Sequence, residues 1–501
     1  MKMVYQDKLE IVDKNMSDSN VGARKDKNIR NHLFVINGVI NEVINKKEES
    51  VDILILDYKQ CFDTLWLEES LNDLWEAGLN DDKLALIAEA NRNVKVAIRT
   101  PYGMTERMSM KQIVMQGEIF GPLCCSVTID TIGKECIKEK KNLYYYKKKV
   151  AVPPLAMIDD LLCISKCGIN SVKTNAFINA KSNIKKLQFG VSKCHKMHIG
   201  LPCTKCPDLY VDNWKLVNTN EYFTNVENVK DEEDGQIKLD TVEHEKYLGD
   251  IITVNGKTNK NILARRSKGI GIVNQVLTIL EGTCYGPHVF QVSMLFRKSF
   301  LINSILTNAE SWYGIKMEEI EILEQVDEML LRKILEVGKS CPKEMLYLET
   351  GSRPIRFIIM SRRLMFLHYI LNEEDNSLIK QVLQEQIKDP VKNDWILTVR
   401  EDLEELEIGV DFKDIEELSK DSFKRFIDKK IEEKVLKYLN NIKSNHKKVS
   451  HIKHESLELQ NYFKLSEVVN INLSKIIFHA RCSMLDVKAN FKNRYTGSST
   501  N

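Results

Sequence analysis

The sequence predicts an α+β fold, in which strands and helices mix over the first half and the second half is mostly α-helical. Two observations lead to this prediction. Short apolar runs rich in β-branched residues, such as the run at 51–57, alternate with helix-like stretches up to about residue 260. Beyond that point apolar residues recur at helical spacing. Ile320, Leu323, Leu330 and Ile334 form one such stripe, which is typical of core packing.

Length and composition narrow the class of protein. A chain of 501 residues is too long for one compact domain, and domains of about 100–200 residues predict two to four. Its 43% hydrophobic and 29% charged residues exclude wholesale disorder. No apolar run approaches the about 20 residues that span a bilayer, and no signal peptide is evident. Twelve cysteines without a secretory signal predict reduced thiols. We therefore expect an intracellular protein without membrane contact.

The first 140 residues contain an ordered series of predicted elements. Apolar spacing predicts a helix over 28–48, and the next apolar run predicts a buried strand that ends at Asp57. Residues 64–92 have a helical pattern. Residues 94–110 predict a hairpin around Pro101, and a helix is expected from Gly121 to about Lys141.

A pair of carboxylates lies between the next two predicted strands. Val150–Ala156 and Leu161–Ile164 are apolar, and Asp159-Asp160 is expected in the turn between them. Strand ends and tight turns can hold carboxylates side by side, where they repel one another. A divalent cation relieves this repulsion, and Mg²⁺ prefers oxygen ligands. Together with Asp57, the pair predicts a metal site, whereas a DD pair alone is usually a solvated turn.

A basic and aromatic segment occupies 138–149. It contains six lysines, one glutamate and the run Tyr144-Tyr145-Tyr146. Lysines neutralise phosphates and aromatic rings stack on bases, so this composition is compatible with a polyanion partner. A solvated β-hairpin accounts for the same composition.

Several short motifs follow one another in a specific order. After the strand that ends at Asp57 come Gln116-Gly117-x-x-x-Gly121-Pro122, Met157-Ile158-Asp159-Asp160, Gly190-Val191-Ser192-Lys193 and Tyr247-Leu248-Gly249. In this order they resemble the reverse transcriptases (RNA-directed DNA polymerases) of LINE-type, non-LTR retrotransposons, over roughly residues 15–340. The resemblance implies a right-hand polymerase palm, an antiparallel sheet with helices, with partial fingers over residues 1–260. It further implies a helical thumb over 261–345 and a mostly α-helical C-terminal extension over 346–501 that is basic at its end.

The resemblance also implies the metal-binding and nucleotide-selecting residues. Asp57 matches the first metal-binding aspartate of the palm, and Asp159 matches the second, with Asp160 as its partner. Together they would hold two Mg²⁺ ions, with Mn²⁺ as an alternative. Phe62 falls at the family's aromatic gate, where a bulky ring would clash with a ribose 2′-hydroxyl. Core packing is the other interpretation of Phe62.

Further roles follow from the same resemblance, again position by position. Gln116-Gly117 matches a turn at which the backbone approaches the nucleotide. Gly22-Ala23-Arg24, followed by Lys27, is similar to the fingers motif that grips the triphosphate. Lys193 matches the lysine credited with protonating pyrophosphate, although a plain surface lysine is the alternative. Tyr247-Leu248-Gly249 matches the primer grip.

The sequence also departs from the family pattern. Met157 stands where the family usually has Tyr, and Gly121 replaces a common Ser, but neither change removes a metal ligand. The earlier fingers strands, an endonuclease and the terminal cysteine–histidine knuckle are not recognisable. We therefore expect a chain truncated at both ends, with endonuclease activity supplied by missing parts or by another chain.

Cys194, His198, Cys203 and Cys206 have spacing compatible with a zinc knuckle. Their order is unusual, and Cys194 lies where the resemblance expects a strand, so buried or idle thiols are the preferred interpretation. Cys61, Cys124 and Cys125 lie in apolar surroundings and are expected in the core.

These observations predict an RNA-directed DNA polymerase. It would copy a retroelement RNA by attack of a primer 3′-hydroxyl on a deoxynucleoside triphosphate, with an RNA template and a DNA primer or target as partners. The alternative is a catalytically inactive nucleic-acid-binding fragment of a decayed or domesticated element, which would use 138–149, Arg265-Arg266 and 488–494. An RNA-templated RNA polymerase is a third interpretation, which Phe62 and the Gln116-Gly117 turn disfavour. The expected location is the nucleus, a cytoplasmic ribonucleoprotein or both.

Overall fold

A computed structural model describes most of the chain. The described residues are 10–47, 49–59, 61–79, 82–92, 95–109, 121–139, 142–201, 206–212, 236–283, 288–409, 411–464 and 471–485.

Strands are confined to the first half of the described chain. They are β1 (Val51–Asp57), β2 (Lys95–Val96), β3 (Arg99–Thr100), β4 (Gly103–Met104), β5 (Met108–Ser109), β6 (Tyr144–Tyr146), β7 (Val150–Val152), β8 (Leu155–Met157), β9 (Asp160–Lys166), β10 (His195–Ile199), β11 (Tyr210–Asp212), β12 (Gln236–Lys238), β13 (Asp240–Thr241), β14 (His244–Tyr247) and β15 (Asp250–Thr253).

Helices flank these strands and make up the second half. They are α1 (Ile29–Lys46), α2 (Cys61–Thr64), α3 (Leu67–Glu76), α4 (Asp82–Asn91), α5 (Gly121–Glu139), α6 (Ile169–Ile184), α7 (Asn259–Thr283), α8 (Val289–Phe296), α9 (Asn303–Ile305), α10 (Met317–Leu335), α11 (Lys343–Thr350), α12 (Ile355–Leu371), α13 (Leu378–Lys388), α14 (Trp395–Glu405), α15 (Phe412–Glu417), α16 (Lys420–Ser444), α17 (Asn461–Lys464) and α18 (Ile471–Arg481).

The chain forms two compact units. One contains residues 1–256 and 374–392, and the other contains residues 257–373 and 393–501. The strands belong to the first unit, which is α+β, and the described part of the second unit is helical. The predicted α+β class with a helical C-terminal region is therefore confirmed.

A five-stranded sheet is the framework of the first unit. Its strand order is β13-β10-β1-β9-β8, and β1 runs antiparallel to both of its neighbours. The first six residues of β1 are buried. A strand covered on both faces needs apolar side chains at nearly every position, which explains the continuous apolar run at 51–57. The predicted strand ending at Asp57 is confirmed.

Other predicted elements of the first unit are also confirmed. Helix α1 begins after Asn28, whose side chain accepts a hydrogen bond from the Arg30 main-chain N–H at 3.2 Å and so caps the helix. The pattern at 64–92 corresponds to α3 and α4, and the helix that begins at Gly121 is α5. The hairpin around Pro101 is present as β3 and β4. Cys61, Cys124 and Cys125 are buried in the core, as expected.

Two details around the carboxylate pair differ from the prediction. The apolar segment 150–156 is not one strand, because Pro153-Pro154 divides it into β7, which pairs with β6, and β8, which pairs with β9. Proline cannot donate a ladder hydrogen bond, so it ends a strand. The turn consists of Ile158 and Asp159, and Asp160 is already the first residue of β9.

Residues 144–149 of the basic and aromatic segment form one strand and the turn of a hairpin, and three of their side chains are buried. Lys147 and Lys148 occupy its turn, both with positive φ (49° and 63°). The rings of Tyr144 and Tyr146 are buried. The Lys147 ammonium donates to the main-chain carbonyls of Glu385, at 3.3 Å, and of Asp389. Two of the three tyrosines therefore pack inside the protein, where they cannot stack on bases.

Residues 374–392 belong to the first unit although they lie far along the chain. Helix α13 packs on α1 and β7. The main-chain N–H of Leu378 donates to Asp18 Oδ2 at 2.8 Å, and Asn41 Nδ2 donates to the Lys392 carbonyl at 3.0 Å. This segment falls within the predicted C-terminal extension, so the first unit is assembled from both halves of the sequence.

The second unit is built around helices α7, α10 and α12. Helix α10 packs on α7 and α12, and its predicted apolar stripe is buried. A buried ion pair lies within this core. Arg297 binds Asp327 through Nε and Nη2, each 2.7 Å from a different carboxylate oxygen. No helix in the described part of the chain is both long enough and apolar enough to cross a membrane.

We expect Arg297→Met to destabilise the protein by about 3–5 kcal/mol, because it leaves the Asp327 carboxylate buried without its counter-charge. Urea denaturation would measure this change. The control is Lys437→Met, which removes an exposed partner 4.0 Å from Glu407 and should cost less than about 1 kcal/mol. Equal destabilisation by the two substitutions would show that the buried ion pair matters no more to stability than a pair on the surface.

Candidate active site

Three aspartates meet at one end of the central sheet. Asp57 is the last residue of β1, and the strand register places it opposite Asp160, the first residue of β9. Directly opposed residues of antiparallel strands have Cα atoms about 4.5–5.5 Å apart. Asp159 lies next to Asp160 in the turn before β9. The structure thus brings together Asp57, Asp159 and Asp160, the three residues predicted as metal ligands.

The electrostatics of this carboxylate cluster fit a divalent cation. Burial raises the pKa of Asp160 to about 6, and the negative charges of Asp159 and Asp57 contribute. Burial and the charge of Asp57 also raise the pKa of Asp159. Half-buried carboxylates that repel one another are stabilised by a cation, and oxygen ligands suit hard ions such as Mg²⁺. The donor set therefore matches the predicted metal site.

Lys193 provides a positive charge beside this cluster. It ends the short 3₁₀ turn Val191–Lys193, and its Nζ lies 3.1 Å from Asp57 Oδ2. The hydrogen bond to Asp57 raises the pKa of the Lys193 ammonium. Its side chain is 70% exposed, compared with 15% for Asp57. A charged and accessible ammonium beside carboxylates can deliver a proton to a bound substrate.

Gly190 sets the position of this turn against β1. Its main-chain N–H donates to the Asp57 carbonyl at 2.8 Å. A Cβ atom at residue 190 would lie 2.8 Å from Asp57 Oδ2, which leaves no room for a side chain. Cys194 contacts the same residue, with its Sγ 3.4 Å from the Asp57 main-chain nitrogen. Burial raises the pKa of the Cys194 thiol to about 11.

The segment Gly22-Ala23-Arg24 packs beneath the turn that carries Asp159. The main-chain N–H of Val21 donates to the Ala156 carbonyl at 3.0 Å, which attaches the segment to β8. A Cβ atom on Gly22 would lie 2.5 Å from the main-chain nitrogen of Ile158. Ile158 has a φ of 57°, a strained conformation for a β-branched residue. Gly22 therefore allows the close approach that supports this strained turn.

Arg24 and Lys27, predicted to grip a triphosphate, have protein partners in the same segment. The Arg24 guanidinium binds Asp13 and donates to the carbonyls of Ser17 at 2.6 Å and Asn20 at 2.8 Å. Lys27 Nζ lies 2.6 Å from Asp18 Oδ1. These contacts hold the N-terminal segment in shape, and the predicted triphosphate contacts remain a prediction.

Two positioning residues are not among those predicted from the sequence. Asn20 Nδ2 donates to the Ser126 carbonyl at 2.8 Å, and Ser126 Oγ, on α5, lies 3.0 Å from Asn20 Oδ1 and 2.8 Å from the Gly22 carbonyl. Both side chains are fully buried. Buried polar groups need partners, so a serine in the apolar run Leu-Cys-Cys-Ser-Val was the signal that could have identified Ser126.

Of the remaining predicted nucleotide-binding residues, Phe62, Gln116 and Gly117, the structure describes Phe62. Phe62 lies in α2, partly buried against the hydrophobic core of the first unit. This position agrees with core packing and leaves its predicted role as a gate a prediction. Gln116 and Gly117 lie outside the described residues.

Tyr247-Leu248-Gly249, the predicted primer grip, forms a tight hairpin turn. Tyr247 ends β14 and pairs with Asp250, while Leu248 and Gly249 have φ values of 47° and 89°. Positive φ at both central residues is the pattern of a type I′ turn. Burial raises the pKa of the Tyr247 phenol, and the charge of Asp160 raises it further.

His32 joins this hairpin to the segment that contains Gly22. Its Nε2 lies 2.9 Å from the Ser19 carbonyl, so this nitrogen carries the proton and donates it. Its Nδ1 then accepts from the Tyr247 hydroxyl at 3.4 Å. Burial lowers the pKa of His32 to about 4. A neutral, fully buried imidazole thus bridges two parts of the site.

Comparison with known proteins agrees with this geometry. Residues 1–252 match the family model described as reverse transcriptase (RNA-dependent DNA polymerase). The chain belongs to the reverse transcriptase family. Members of this family generally use divalent metal ions, which accords with the three carboxylates. No curated protein matches the sequence.

Among the solved structures with weak similarity to this reverse transcriptase are telomerases from two yeasts. Telomerase from Candida tropicalis in complex with a TWJ fragment of telomeric RNA is 13% identical, with a TM-score of 0.38, over 82% of this chain and 56% of that one. Telomerase from Candida albicans with the same type of RNA fragment is 11% identical, with a TM-score of 0.37, over 79% and 55%. Apo telomerase from Candida tropicalis without its C-terminal domain is 12% identical, with a TM-score of 0.34, over 51% and 43%. The matches thus span about half the length of those chains.

The lowered pKa of His32 predicts a pH-dependent stability. Because the folded state binds the His32 proton more weakly than the unfolded chain, stability is lost as pH falls from about 6.5 to about 4, by up to about 3 kcal/mol. In His32→Gln this part of the pH dependence should disappear. Denaturation of both proteins between pH 4 and 8 would measure it. Exposed His244 provides the control, since His244→Gln should retain the wild-type profile.

Proposed function

We propose that this reverse transcriptase copies a retroelement RNA of the LINE type into DNA by extending a primer 3′-hydroxyl. The observation that carries the proposal is the convergence of Asp57, Asp159 and Asp160 at adjoining strand ends, with the Lys193 ammonium beside them. The partners are an RNA template, a DNA primer or target, and deoxynucleoside triphosphates. The endonuclease would lie in other parts of the element protein or in another chain, and the site of action would be the nucleus or a cytoplasmic ribonucleoprotein.

The reaction forms one P–O bond and breaks another. The primer 3′-oxygen attacks the α-phosphorus while the 3′-hydroxyl gives its proton to water, and the bond from the α-phosphorus to the bridging oxygen breaks to release pyrophosphate. Two Mg²⁺ or Mn²⁺ ions held by the three aspartates would polarise the hydroxyl and neutralise the leaving pyrophosphate. Lys193 would give its proton to that pyrophosphate, because its ammonium is charged, exposed and fixed by Asp57.

The surrounding residues support this reaction by fixing positions. The contact of Gly22 with Ile158 holds the turn that bears Asp159, and Gly190 holds the turn that bears Lys193 against Asp57. The Tyr247 hairpin would hold the primer end near Asp160. Catalysis of phosphoryl transfer depends almost entirely on such positioning and on electrostatic stabilisation.

The alternative of a catalytically inactive nucleic-acid-binding fragment has weaker support. It relies on basic segments, and two of these have buried members: Lys147 within its hairpin and Arg265, whose guanidinium lies 5.1 Å from the Trp312 ring centre. The third segment, 488–494, lies outside the described residues. The three aspartates, by contrast, have a position and an electrostatic environment that suit catalysis.

The first test is Asp159→Ala in the full chain. Wild type should extend a DNA primer on an RNA template with Mg²⁺ and deoxynucleotides, and the variant should lose extension at least about 100-fold while RNA affinity stays within about twofold. Asp240→Ala, which removes an exposed aspartate on β13, is the matched control and should remain active. Retained extension by Asp159→Ala would contradict the proposed metal role. Inactive wild type that binds RNA would favour the binding fragment, and preferred incorporation of ribonucleotides would favour an RNA polymerase.

Lys193 can be tested separately from the metal ligands. We expect Lys193→Ala to lower kcat by about 100-fold with little change in KM, because a proton donor acts only in the transition state. The pH–rate profile should also lose its alkaline limb. Lys238→Ala is the matched control, since Lys238 likewise pairs with an aspartate, Asp208, at 2.8 Å on the surface. Equal effects of the two substitutions would show that Lys193 is an ordinary surface lysine.

A further inference from the structure

A second cluster of metal-ligating side chains lies at the other end of β1. Asp52 is the second residue of this strand, and its side chain is fully buried. Four residues of the strand lie between it and Asp57, and the two residues are about 17 Å apart. A carboxylate buried this deeply requires compensating positive charge. The apolar run at 51–57 thus contains a carboxylate that the proposed reaction does not use.

The fold gathers three further ligands around Asp52. His198 on β10 is directly opposite Asp52 in the strand register, and Cys167 follows β9 immediately. Cys206 comes from the segment that leads to β11. One potential ligand atom from each of the four residues lies within 4.8 Å of every other. Cys, His and Asp side chains are the ligands that zinc uses in proteins.

Three of the separations between these atoms, all from Cys206, are close to the edges of a zinc tetrahedron. Zn–S bonds of about 2.3 Å and Zn–N or Zn–O bonds of about 2.0–2.2 Å place tetrahedral ligand atoms about 3.4–3.8 Å apart. Cys206 Sγ lies 3.6 Å from Cys167 Sγ, 3.5 Å from His198 Nδ1 and 3.9 Å from Asp52 Oδ1. His198 Nδ1 and Asp52 Oδ1 are 2.9 Å apart, so they need to separate by about half an ångström to become ligands of one ion.

The hydrogen bond made by the second ring nitrogen of His198 also agrees with zinc binding at Nδ1. His198 Nε2 lies 3.1 Å from the Leu201 carbonyl, to which it donates when it carries the proton. This tautomer leaves the Nδ1 lone pair facing Cys206 and Asp52. A metal-ligating histidine almost always donates its other N–H to a carbonyl, a carboxylate or water.

The charge of the cluster also balances. Zinc with two thiolates, one carboxylate and a neutral imidazole leaves one net negative charge. Lys196 is fully buried beside the cluster, with its Nζ 3.1 Å from Cys206 Sγ and 3.4 Å from Asp52 Oδ2. The ammonium would neutralise the remaining charge, so the occupied site would be electrically neutral.

We propose that Asp52, Cys167, His198 and Cys206 form a structural zinc site at the end of the sheet opposite the carboxylate cluster. Four protein ligands close the coordination sphere, as in structural rather than catalytic zinc sites. The ion would tie together the adjoining strands β9, β1 and β10, which carry the proposed active site at their other end. This inference does not depend on polymerase activity.

This ligand set differs from the one that sequence spacing suggests. His198 and Cys206 belong to both sets, whereas Cys194 contacts the main chain of Asp57 at the other end of β1, and Cys203 lies outside the described residues. A disulfide between Cys167 and Cys206 is the competing chemistry. Their sulfur separation of 3.6 Å is close to that of two ligands on one zinc ion and well beyond a bonded distance of about 2.0 Å.

The test measures zinc in the full chain purified with reductant and Zn²⁺. Elemental analysis after dialysis should find one zinc per wild-type chain. Cys167→Ser, Cys206→Ser and His198→Ala should each weaken zinc binding at least about 100-fold in a chelator competition, as loss of a direct ligand exceeds the about 10–100-fold effect of a supporting partner. Cys194→Ser and Cys203→Ser are the matched controls and should retain zinc. Loss of zinc in both controls would restore the spacing-based set and overturn the proposed one.

Two further measurements use the wild-type chain, so they test the proposal even if the variants fail to fold. Removal of zinc from wild type with a chelator should lower Tm, and Zn²⁺ but not Mg²⁺ should restore it. Co²⁺ substitution should give a thiolate-to-cobalt charge-transfer band with the intensity of two sulfur ligands. A wild-type chain without zinc, or a Cys167–Cys206 disulfide found by mass spectrometry of protein trapped at lysis, would overturn the proposal. Neither result bears on primer extension, so this inference and the proposed function can fail independently.

Discussion

The pairing of β1 with strands on both of its edges is the constraint on which both clusters depend. Its register with β9 places Asp57 opposite Asp160, and its register with β10 places Asp52 opposite His198. Side chains alternate across a strand, so a slip of one residue would move both aspartates to the wrong face. Such a slip would also take Asp52 away from Lys196 and His198 and leave its buried charge without compensation. One hydrophobic strand thereby fixes two polar sites.

At the end of the sheet that carries Asp57, Asp159 and Asp160, packing has to offset the electrostatic cost of burying neighbouring carboxylates. The raised pKa values of Asp159 and Asp160 report unfavourable burial and repulsion, and Ile158 adds a strained backbone. Close contacts supply the opposing free energy: the turn packs on Gly22, and Asp57 packs on Gly190. Destabilised sites supported by well-packed surroundings are common where a protein must place charge for function. The tight packing beneath the aspartates is thus part of the site.

Features that depend on local information could be predicted from the sequence. The apolar run that ends at Asp57 and the aspartate pair between two apolar runs predict strand ends, and strand ends bring carboxylates together. Contacts that join distant segments could not be predicted. Residues 374–392 complete the first unit through Asp18 and Asn41, and Lys147 is buried against the same segment. From composition alone, Lys147 would be predicted to contact solvent or a nucleic acid, because the residues near it in the sequence do not show that residues 374–392 cover it.

The second cluster, formed by Asp52, Cys167, His198 and Cys206, shows which ligands sequence spacing can identify and which it cannot. His198 and Cys206 are eight residues apart, so a spacing argument finds them, but Cys167 and Asp52 approach only because β9 and β10 flank β1. The sequence still contains one overlooked signal. A charged residue inside an otherwise apolar, fully buried strand demands a partner, and strand pairing limits that partner to a few positions on two neighbours. Once the register of β1 with β10 is known, Asp52 therefore identifies His198 as one such partner. Asp57, at the end of the strand, is paired instead with Lys193 from a neighbouring turn. The difference in position along one strand thus separates the structural role that we propose for Asp52 from the catalytic role that we propose for Asp57.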